Sequence, residues 1–472
     1  MAVLPPDPLS GRGLLGFADD FKAGRITCEE VTAAYLARID SLNDRLGAYQ
    51  FVAHDAALAT ARAIDALFAA GTYLGPLMGA PVAIKDVFAI ETLPKPRAGS
   101  KISLPAFADS GEGRFIQALR RAGCVFLGQT RAVEFCLGIV GTSAPLGTPW
   151  NPYDLHDHRA PGGSSSGSGV AAGAGLCAFA VGTDTGGSVR VPAAFNGVFG
   201  FKTTAGIWPT DGVFPLDPRL DTIGLLTRTA ADASVAYSGI SSCLNGLDEA
   251  VFVKPARIDR LRLGVPDSYF NDGLCPEVAA ALHGARAKLS EAGVRFDGID
   301  FPEVRERETY FPFALPATLL ATLGLDEFQR QKHLMDPIIA ARIESAIGRK
   351  AFDYIALERK RQINIARARR RLVDFDAVVS ATATVLPPRL SELDDPNAAM
   401  ALALGMTRNT QPANYFEWCA ASLPIPQTPG DLPIGFQLMM KGSDDARLLG
   451  IAMAVENVLG RQEPPLLTQK AS

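Results

Sequence analysis

The chain has no continuous apolar run of the 18 or so residues that a membrane helix needs, so an ordinary membrane span is excluded at the outset. Nor does charge of one sign dominate: 46 basic residues stand against 50 acidic ones, for a net charge of −4. The only dense basic cluster, Arg359 to Arg371, reads as the solvated face of a helix rather than a nucleic-acid groove. Cysteine is sparse. The seven, at positions 28, 124, 136, 177, 243, 275 and 419, are odd in number, scattered and without a Cys-x-x-Cys pair, and they read as reduced core residues. Of the five histidines only His156 and His158 lie close together, no third ligand stands near them, and they read as part of a polar loop. No metal and no cofactor is expected. The start, Met1-Ala2-Val3-Leu4-Pro5-Pro6, shows no basic region followed by an apolar core, so no secretory leader is read and a cytoplasmic protein is expected.

What is abundant is small and apolar. A composition 47% hydrophobic and 20% charged over 472 residues is that of a globular protein with a sizeable core. The organising stretch is residues 161 to 192, with two Gly-Gly-Ser triplets ending at Ser164 and Ser188. Glycine pairs before a serine permit unusual backbone conformations and leave N–H groups unscreened, and consecutive N–H groups form a concavity suited to an oxyanion. Ser188 is therefore a candidate nucleophile. A flexible linker is argued against by the apolar run Leu176 to Val181 between the triplets and by Val189, Val191 and Ala193 to Phe195 after them. Gly163-Ser164-Ser165-Ser166-Gly167 matches the Gly-x-Ser-x-Gly nucleophile elbow in letters only, because the preceding Asp154 to Pro161 is too polar for the buried strand such an elbow follows.

Along the chain, residues 15 to 69 read as a helical outer layer, with apolar positions at three- and four-residue intervals in Glu29 to Ile39 and Ala56 to Phe68. Pro81 to Phe88 reads as a short apolar strand carrying the pair Lys85-Asp86. A lysine there commonly reaches water from the strand end; held out of water, an ammonium is disfavoured and the amine can act as a base. Helix and strand then alternate at Phe115 to Ala122 with Cys124 to Gln129, at Leu176 to Val181, at Leu261 to Val265, and at Glu277 to Ala292 with Val294 to Ile299. Residues 330 to 374 are rich in helix formers, Ala377 to Ser380 is another buried strand, and Ala446 to Leu459 is a closing helix. The pattern predicts an α/β fold, one large α/β/α sandwich whose mixed central sheet is covered by helices on both faces. One unit spanning residues 1–472 is expected, with a core region near 75–235 and the helical layer near 15–70.

These stretches resemble the amidase signature family. The resemblance rests on Lys85-Asp86 at the end of an apolar strand, Gly162-Gly163-Ser164-Ser165-Ser166-Gly167-Ser168, and Gly182 to Pro192. Gly200-Phe201-Lys202-Thr203, Leu220-Asp221-Thr222-Ile223-Gly224 and Leu432-Pro433-Ile434-Gly435-Phe436-Gln437 extend it to about residues 15 to 460. It implies a Ser-Ser-Lys mechanism, with Ser188 as nucleophile, Ser164 as proton relay and Lys85 as base. It also implies a cis peptide bond from Gly163 to Ser164, and an oxyanion hole made by the backbone N–H groups of Thr185, Gly186, Gly187 and Ser188. Asp184 and Arg190 are placed to pair and brace that loop, equally as an ordinary structural salt bridge. The activity so implied is hydrolysis of the carbon–nitrogen amide bond of a small molecule through an acyl-enzyme. The glutaminase subunit of a tRNA-dependent amidotransferase and a urea-type amidohydrolase acting on a biuret- or allophanate-like compound stand as alternatives. The expected partner is the amide substrate, not nucleic acid or membrane, and a homodimer stays open. Departures from the family pattern at Gly128-Gln129-Thr130-Arg131, at Leu225 in place of proline, and at Asn414 to Ala420 bear on substrate identity. Trp150, Phe214, Tyr310, Phe311, Phe313 and Trp418 are aromatics that either flank the pocket or, more commonly for such residues, fill the core.

Overall fold

Eleven strands pair in one mixed sheet in the computed structural model, which describes residues 4–102, 104, 107, 110–247 and 252–467. In chain order they are β1 (Tyr49–Val52), β2 (Pro81–Lys85), β3 (Val125–Thr130), β4 (Phe179–Asp184), β5 (Phe199–Lys202), β6 (Thr222–Thr227), β7 (Arg262–Pro266), β8 (Arg295–Ile299), β9 (Ala377–Ala381), β10 (Cys419–Ile425) and β11 (Ile434–Met440). Across the sheet they run β1-β3-β2-β4-β6-β5-β10-β11-β9-β7-β8. β2 is parallel to β3 and β4, and β7 is parallel to β8 and β9, while the strands between are antiparallel. Helices cover both faces, so β2, β3, β4, β6, β9, β10 and β11 are buried at every position and carry no polar alternation. No helix among the described residues is long and apolar enough to cross a membrane.

The N-terminal layer is helical as expected, except that it also contains a short strand. Helices Gly13–Lys22, Cys28–Leu46 and His54–Ala69 are interrupted by β1, which pairs antiparallel with the edge of β3. Four residues are too few to show a period of two. Their boundaries are nevertheless chemical: Gly47 ends the preceding helix in the left-handed conformation, at φ 58°. At the other end of that helix, Thr27 and Glu30 close a reciprocal capping box, with hydrogen bonds of 3.1 and 2.9 Å. In the basic cluster, Arg359, Lys360, Arg367 and Arg369 to Arg371 lie exposed on helix Ala351–Arg371, but Arg361 is buried, donating to the Tyr415 carbonyl at 3.1 Å and to Glu417 at 2.9 Å.

Topology singles out the end of β2. The chain leaves β2 for β3 on one side and returns to β4 on the other, both parallel to it, which makes β2 a switch point of the kind whose carboxyl end opens a crevice. Lys85 is the last residue of β2. Beside β2 and β4 packs helix Ser166–Gly173, whose small residues allow close approach: a Cβ on Gly167 would lie 2.2 Å from the Ala48 carbonyl oxygen.

Candidate active site

Lys85 is wholly buried, and its Nζ donates to Ser164 Oγ at 2.8 Å and to Thr183 Oγ1 at 2.7 Å. Among the described residues no carboxylate pairs with it. Its sequence neighbour Asp86 turns away, accepting from the backbone N–H groups of Arg97 (2.9 Å) and Gly99 (3.2 Å), and burial pushes its carboxyl up to about 7 against the pull of those bonds.

The Gly163–Ser164 peptide is cis. Ser164 is fully buried, and its turn is fixed from behind by hydrogen bonds from Val133 N to the Ser164 carbonyl (3.1 Å) and from Gly163 N to the Ile139 carbonyl (2.6 Å). The two glycine-serine turns lie side by side: Ser165 N donates to the Ser188 carbonyl at 3.2 Å, and Ser165 Oγ donates to the Thr183 carbonyl at 3.2 Å. Ser188 retains 5% of its surface, and its hydroxyl has no hydrogen-bond partner among the described residues. A buried, occupied Ser164 thus sits beside a Ser188 whose oxygen is uncommitted.

The turn from Asp184 to Arg190 is built around one ion pair. Arg190 Nη2 and Nε reach Asp184 Oδ1 and Oδ2 at 2.9 and 3.0 Å, with both side chains fully buried. Burial raises the Asp184 carboxyl, but the adjoining guanidinium overrides this and holds it well below the usual carboxylate range. Asp184 also accepts from Gly187 N (2.8 Å) and Val189 N (3.1 Å), so the carboxylate shapes the turn from within. Of the four N–H groups expected to line an oxyanion hole, that of Gly187 is therefore committed to Asp184. Those of Thr185, Gly186 and Ser188 have no partner among the described residues.

Several residues that the sequence alone does not single out complete the site. Arg190 Nη1 donates to the Thr410 carbonyl (2.8 Å) and Gln437 Oε1 (2.9 Å), and Nη2 donates to Asn414 Oδ1 (2.6 Å). Asn414 Nδ2 donates back to Asp184 Oδ1 at 3.0 Å. Thr410 Oγ1 donates to the Gly186 carbonyl at 2.9 Å, and the Thr185 hydroxyl donates to Asp221 Oδ1 at 2.5 Å. Asn414, Asp221 and Gln437 fall within stretches compared with the family pattern, but their roles depend on partners up to 247 residues away and leave no local pattern.

The aromatics divide. Phe311 reaches the site: a methyl placed on Gly186 would sit 3.3 Å from Phe311 Cε1. Trp418 is core, packed between Phe301 (5.2 Å between centroids) and Phe416 (4.8 Å), and Phe214 lies against Phe135. Trp150 stacks on His158 at 4.0 Å, and His158 Nε2 lies 3.2 Å from the Pro149 carbonyl oxygen. Tyr310 packs on Tyr415, and Phe313 on Tyr354. All seven cysteines are free thiols, five of them buried.

Known proteins share this architecture. The family model described as Amidase matches residues 30–449. The 2-amino-5-chloromuconic acid deaminase of Comamonas testosteroni is 36% identical over 447 residues, covering 93% of this chain and 95% of that protein. The A subunit of the glutamyl-tRNA(Gln) amidotransferase of Acidothermus cellulolyticus is 32% identical over 476 residues, covering 92% of each chain. A crystal structure of an amidase superposes with a TM-score of 0.84 at 26% identity, covering 95% of this chain and all of the other.

Proposed function

The chain belongs to the amidase family, whose members hydrolyse carbon–nitrogen amide bonds, and from this premise we propose that it cleaves a small-molecule amide through an acyl-enzyme on Ser188. The observation that carries the reading is the buried hydrogen bond between Lys85 Nζ and Ser164 Oγ, in surroundings that offer the amine no carboxylate. A serine hydroxyl is a weak nucleophile and needs a base within reach. Lys85 Nζ, 2.8 Å from Ser164 Oγ and 2.7 Å from Thr183 Oγ1, is the basic nitrogen placed to take that proton through Ser164.

In the proposed cycle Ser188 Oγ attacks the amide carbonyl carbon, while its proton passes to Ser164 Oγ and the Ser164 proton passes to Lys85 Nζ. The oxygen anion of the tetrahedral intermediate is received by the uncommitted N–H groups of Thr185, Gly186 and Ser188, with Gly187 holding the turn through Asp184. Collapse breaks the carbon–nitrogen bond, and the leaving nitrogen takes back the proton by the same route. Water then adds to the acyl ester, its proton passing through Ser164 Oγ to Lys85 Nζ; collapse breaks the ester carbon–oxygen bond, the proton returns by way of Ser164 to Ser188 Oγ, and the carboxylic acid leaves.

Screening a panel of primary amides with ammonia detection, on the wild type and on Ser188→Ala, tests the proposal. Ammonia release should vanish in the variant while its circular dichroism spectrum is kept, and a fluorophosphonate should label Ser188 of the wild type. Retained turnover in Ser188→Ala, or label found only on Ser165, overturns it.

The likeness to one component of an amidotransferase over 92% of the chain supports a second reading, a glutaminase working within a complex. A stable co-purifying partner and a restriction to glutamine would favour it; turnover of simple amides by the isolated chain would exclude it.

A further inference from the structure

Helix Arg307–Leu323 brings more than Phe311 to the site. Its first residue, Arg307, keeps 4% of its surface and is held at two points: Nε donates to the Tyr269 hydroxyl, and Nη1 donates to Gln411 Oε1. Nη2 makes no hydrogen bond among the described residues. Its nearest carboxylate is that of Glu308, 3.7 Å away on a side chain 48% exposed, too distant to satisfy a buried guanidinium by hydrogen bonding. Gln411 in turn lies against the reacting turn, with Cγ 3.2 Å and Nε2 3.8 Å from where a methyl on Gly186 would be. Gly186 and Gln411 are both partly exposed, so the site opens to solvent on this side.

Two further guanidiniums surround the same tyrosine. Arg408 and Arg305 lie 4.9 and 5.6 Å from the centre of the Tyr269 ring and share a single half-exposed carboxylate, Asp272, at 3.3 and 3.8 Å. Three arginines thus face two carboxylates, Asp272 and Glu308, both at the surface. The excess positive charge lies one residue, Gln411, away from the turn that would receive the oxyanion.

Building on the proposed amide hydrolysis, we propose that Arg307, positioned by Tyr269 and Gln411, is a specificity-determining residue that binds a carboxylate carried by the substrate. The substrate class is then the monoamides of dicarboxylic acids: the amide carbonyl meets Ser188 while the remote carboxylate takes the free donors of Arg307. A planar guanidinium suits this task because its paired N–H groups match the two carboxylate oxygens.

The test compares succinamate, glutaramate and adipamate with propionamide, butyramide and hexanamide as substrates, and titrates glutarate into Ser188→Ala by calorimetry. For the wild type, kcat/KM should favour the best acid monoamide over its neutral counterpart by about 100-fold, the order expected for one charge-assisted pair. In Arg307→Met this ratio should fall to near unity, chiefly through KM, and Arg307→Lys should recover part of it. Glutarate should bind Ser188→Ala and fail to bind Ser188→Ala/Arg307→Met. Equal turnover of acid and neutral amides by the wild type, a selectivity ratio unchanged in Arg307→Met, or absence of glutarate binding to Ser188→Ala would each overturn the proposal. Since the wild-type ratio and the titration of glutarate into Ser188→Ala need no Arg307 variant, and Arg307→Lys gives a second variant, a misfolded Arg307→Met leaves the proposal falsifiable. Glutarate binding lost with Arg307, in a protein that hydrolyses no amide, would uphold the carboxylate site and overturn the hydrolytic reading alone.

Discussion

Asp184 and Arg190 meet as a two-point ion pair with neither side chain exposed, and every other hydrogen bond made by the two side chains among the described residues ends on the turn between them or on residues 410 to 437. The pair thereby couples the shape of the turn from Asp184 to Arg190 to the far end of the chain. Removing one member of a buried pair leaves the other charged and unpaired, at a cost of about 3 to 5 kcal/mol. Arg190→Met is expected to lower the unfolding free energy by about that amount, measured by urea titration, and to abolish turnover. Arg190→Lys cannot reproduce the fork that spans Asp184, Asn414 and Gln437, and it should rescue little of either.

Lys85→Arg separates charge from proton acceptance. Guanidinium stays protonated at any accessible pH, so on the proposed cycle, in which Ser164 passes its proton to residue 85, the variant should lose at least about 10³-fold in kcat even where it folds. Ser164→Ala should also be severely impaired. Steady-state assays on both variants check this, and a fully active Ser164→Ala would remove the relay from the scheme while leaving Ser188 as the nucleophile.

Gly187→Ala combines two obstacles. Gly187 has φ 125°, a backbone conformation that side chains resist, and an added Cβ would fall 2.3 Å from Thr410 Oγ1. The Thr410 hydroxyl holds the Gly186 carbonyl, so displacing it should disturb the turn as a whole. The expected result is a loss of about 1 to 3 kcal/mol in stability and a larger, roughly 100-fold, loss in kcat. Gly187→Ala/Thr410→Gly removes the clash but not the backbone requirement, and by thermal melting and assay it should recover only part of the loss.

Glu456 offers a pH test of the packing behind the sheet. It is nearly buried, accepts from Ala230 N at 3.0 Å, and burial pushes its carboxyl up to about 7 against the pull of that bond, helped by the nearby Asp232. A group whose pKa is raised on folding contributes stability that is complete below its unfolded value, near 4.5, and is lost as pH climbs through about 7. Glu456→Gln keeps an accepting oxygen and has no charge to bury. Melting curves should place the variant close to the wild type at pH 5 and above it at pH 8, by roughly 1 to 3 kcal/mol. Identical pH dependence in the two proteins would refute the assignment.

The sequence was most legible where chemistry is local. Lys85, Ser164 and the turn from Asp184 to Arg190 stand out because their residue types are unusual for their surroundings, and in the structure Lys85 meets Ser164 and Asp184 meets Arg190. The Cys124 to Gln129 and Ala377 to Ser380 strands are readable as apolar runs; β5, β6, β10 and β11 carry no such mark of their own, since burial on both faces removes the alternation that marks a strand. β1 was lost inside a helical stretch because four residues cannot show a period. Thr183, Gln411, Arg307 and Tyr269 remained hidden for another reason: each is ordinary in its own segment and gains its role from a neighbour elsewhere in the chain.

The strand order also has a bearing on how the protein is made. As the chain emerges from the ribosome, β1 to β6 can pair on one side and β7 to β9 on the other, but the strands that join them, β10 and β11, are residues 419 to 440. The same late segment, from Thr410 through Asn414 to Gln437, supplies the anchors of Arg190. A nascent chain therefore carries Lys85, Ser164 and Ser188 long before residues 410 to 437, which anchor Arg190 and through it the turn from Asp184, have been made.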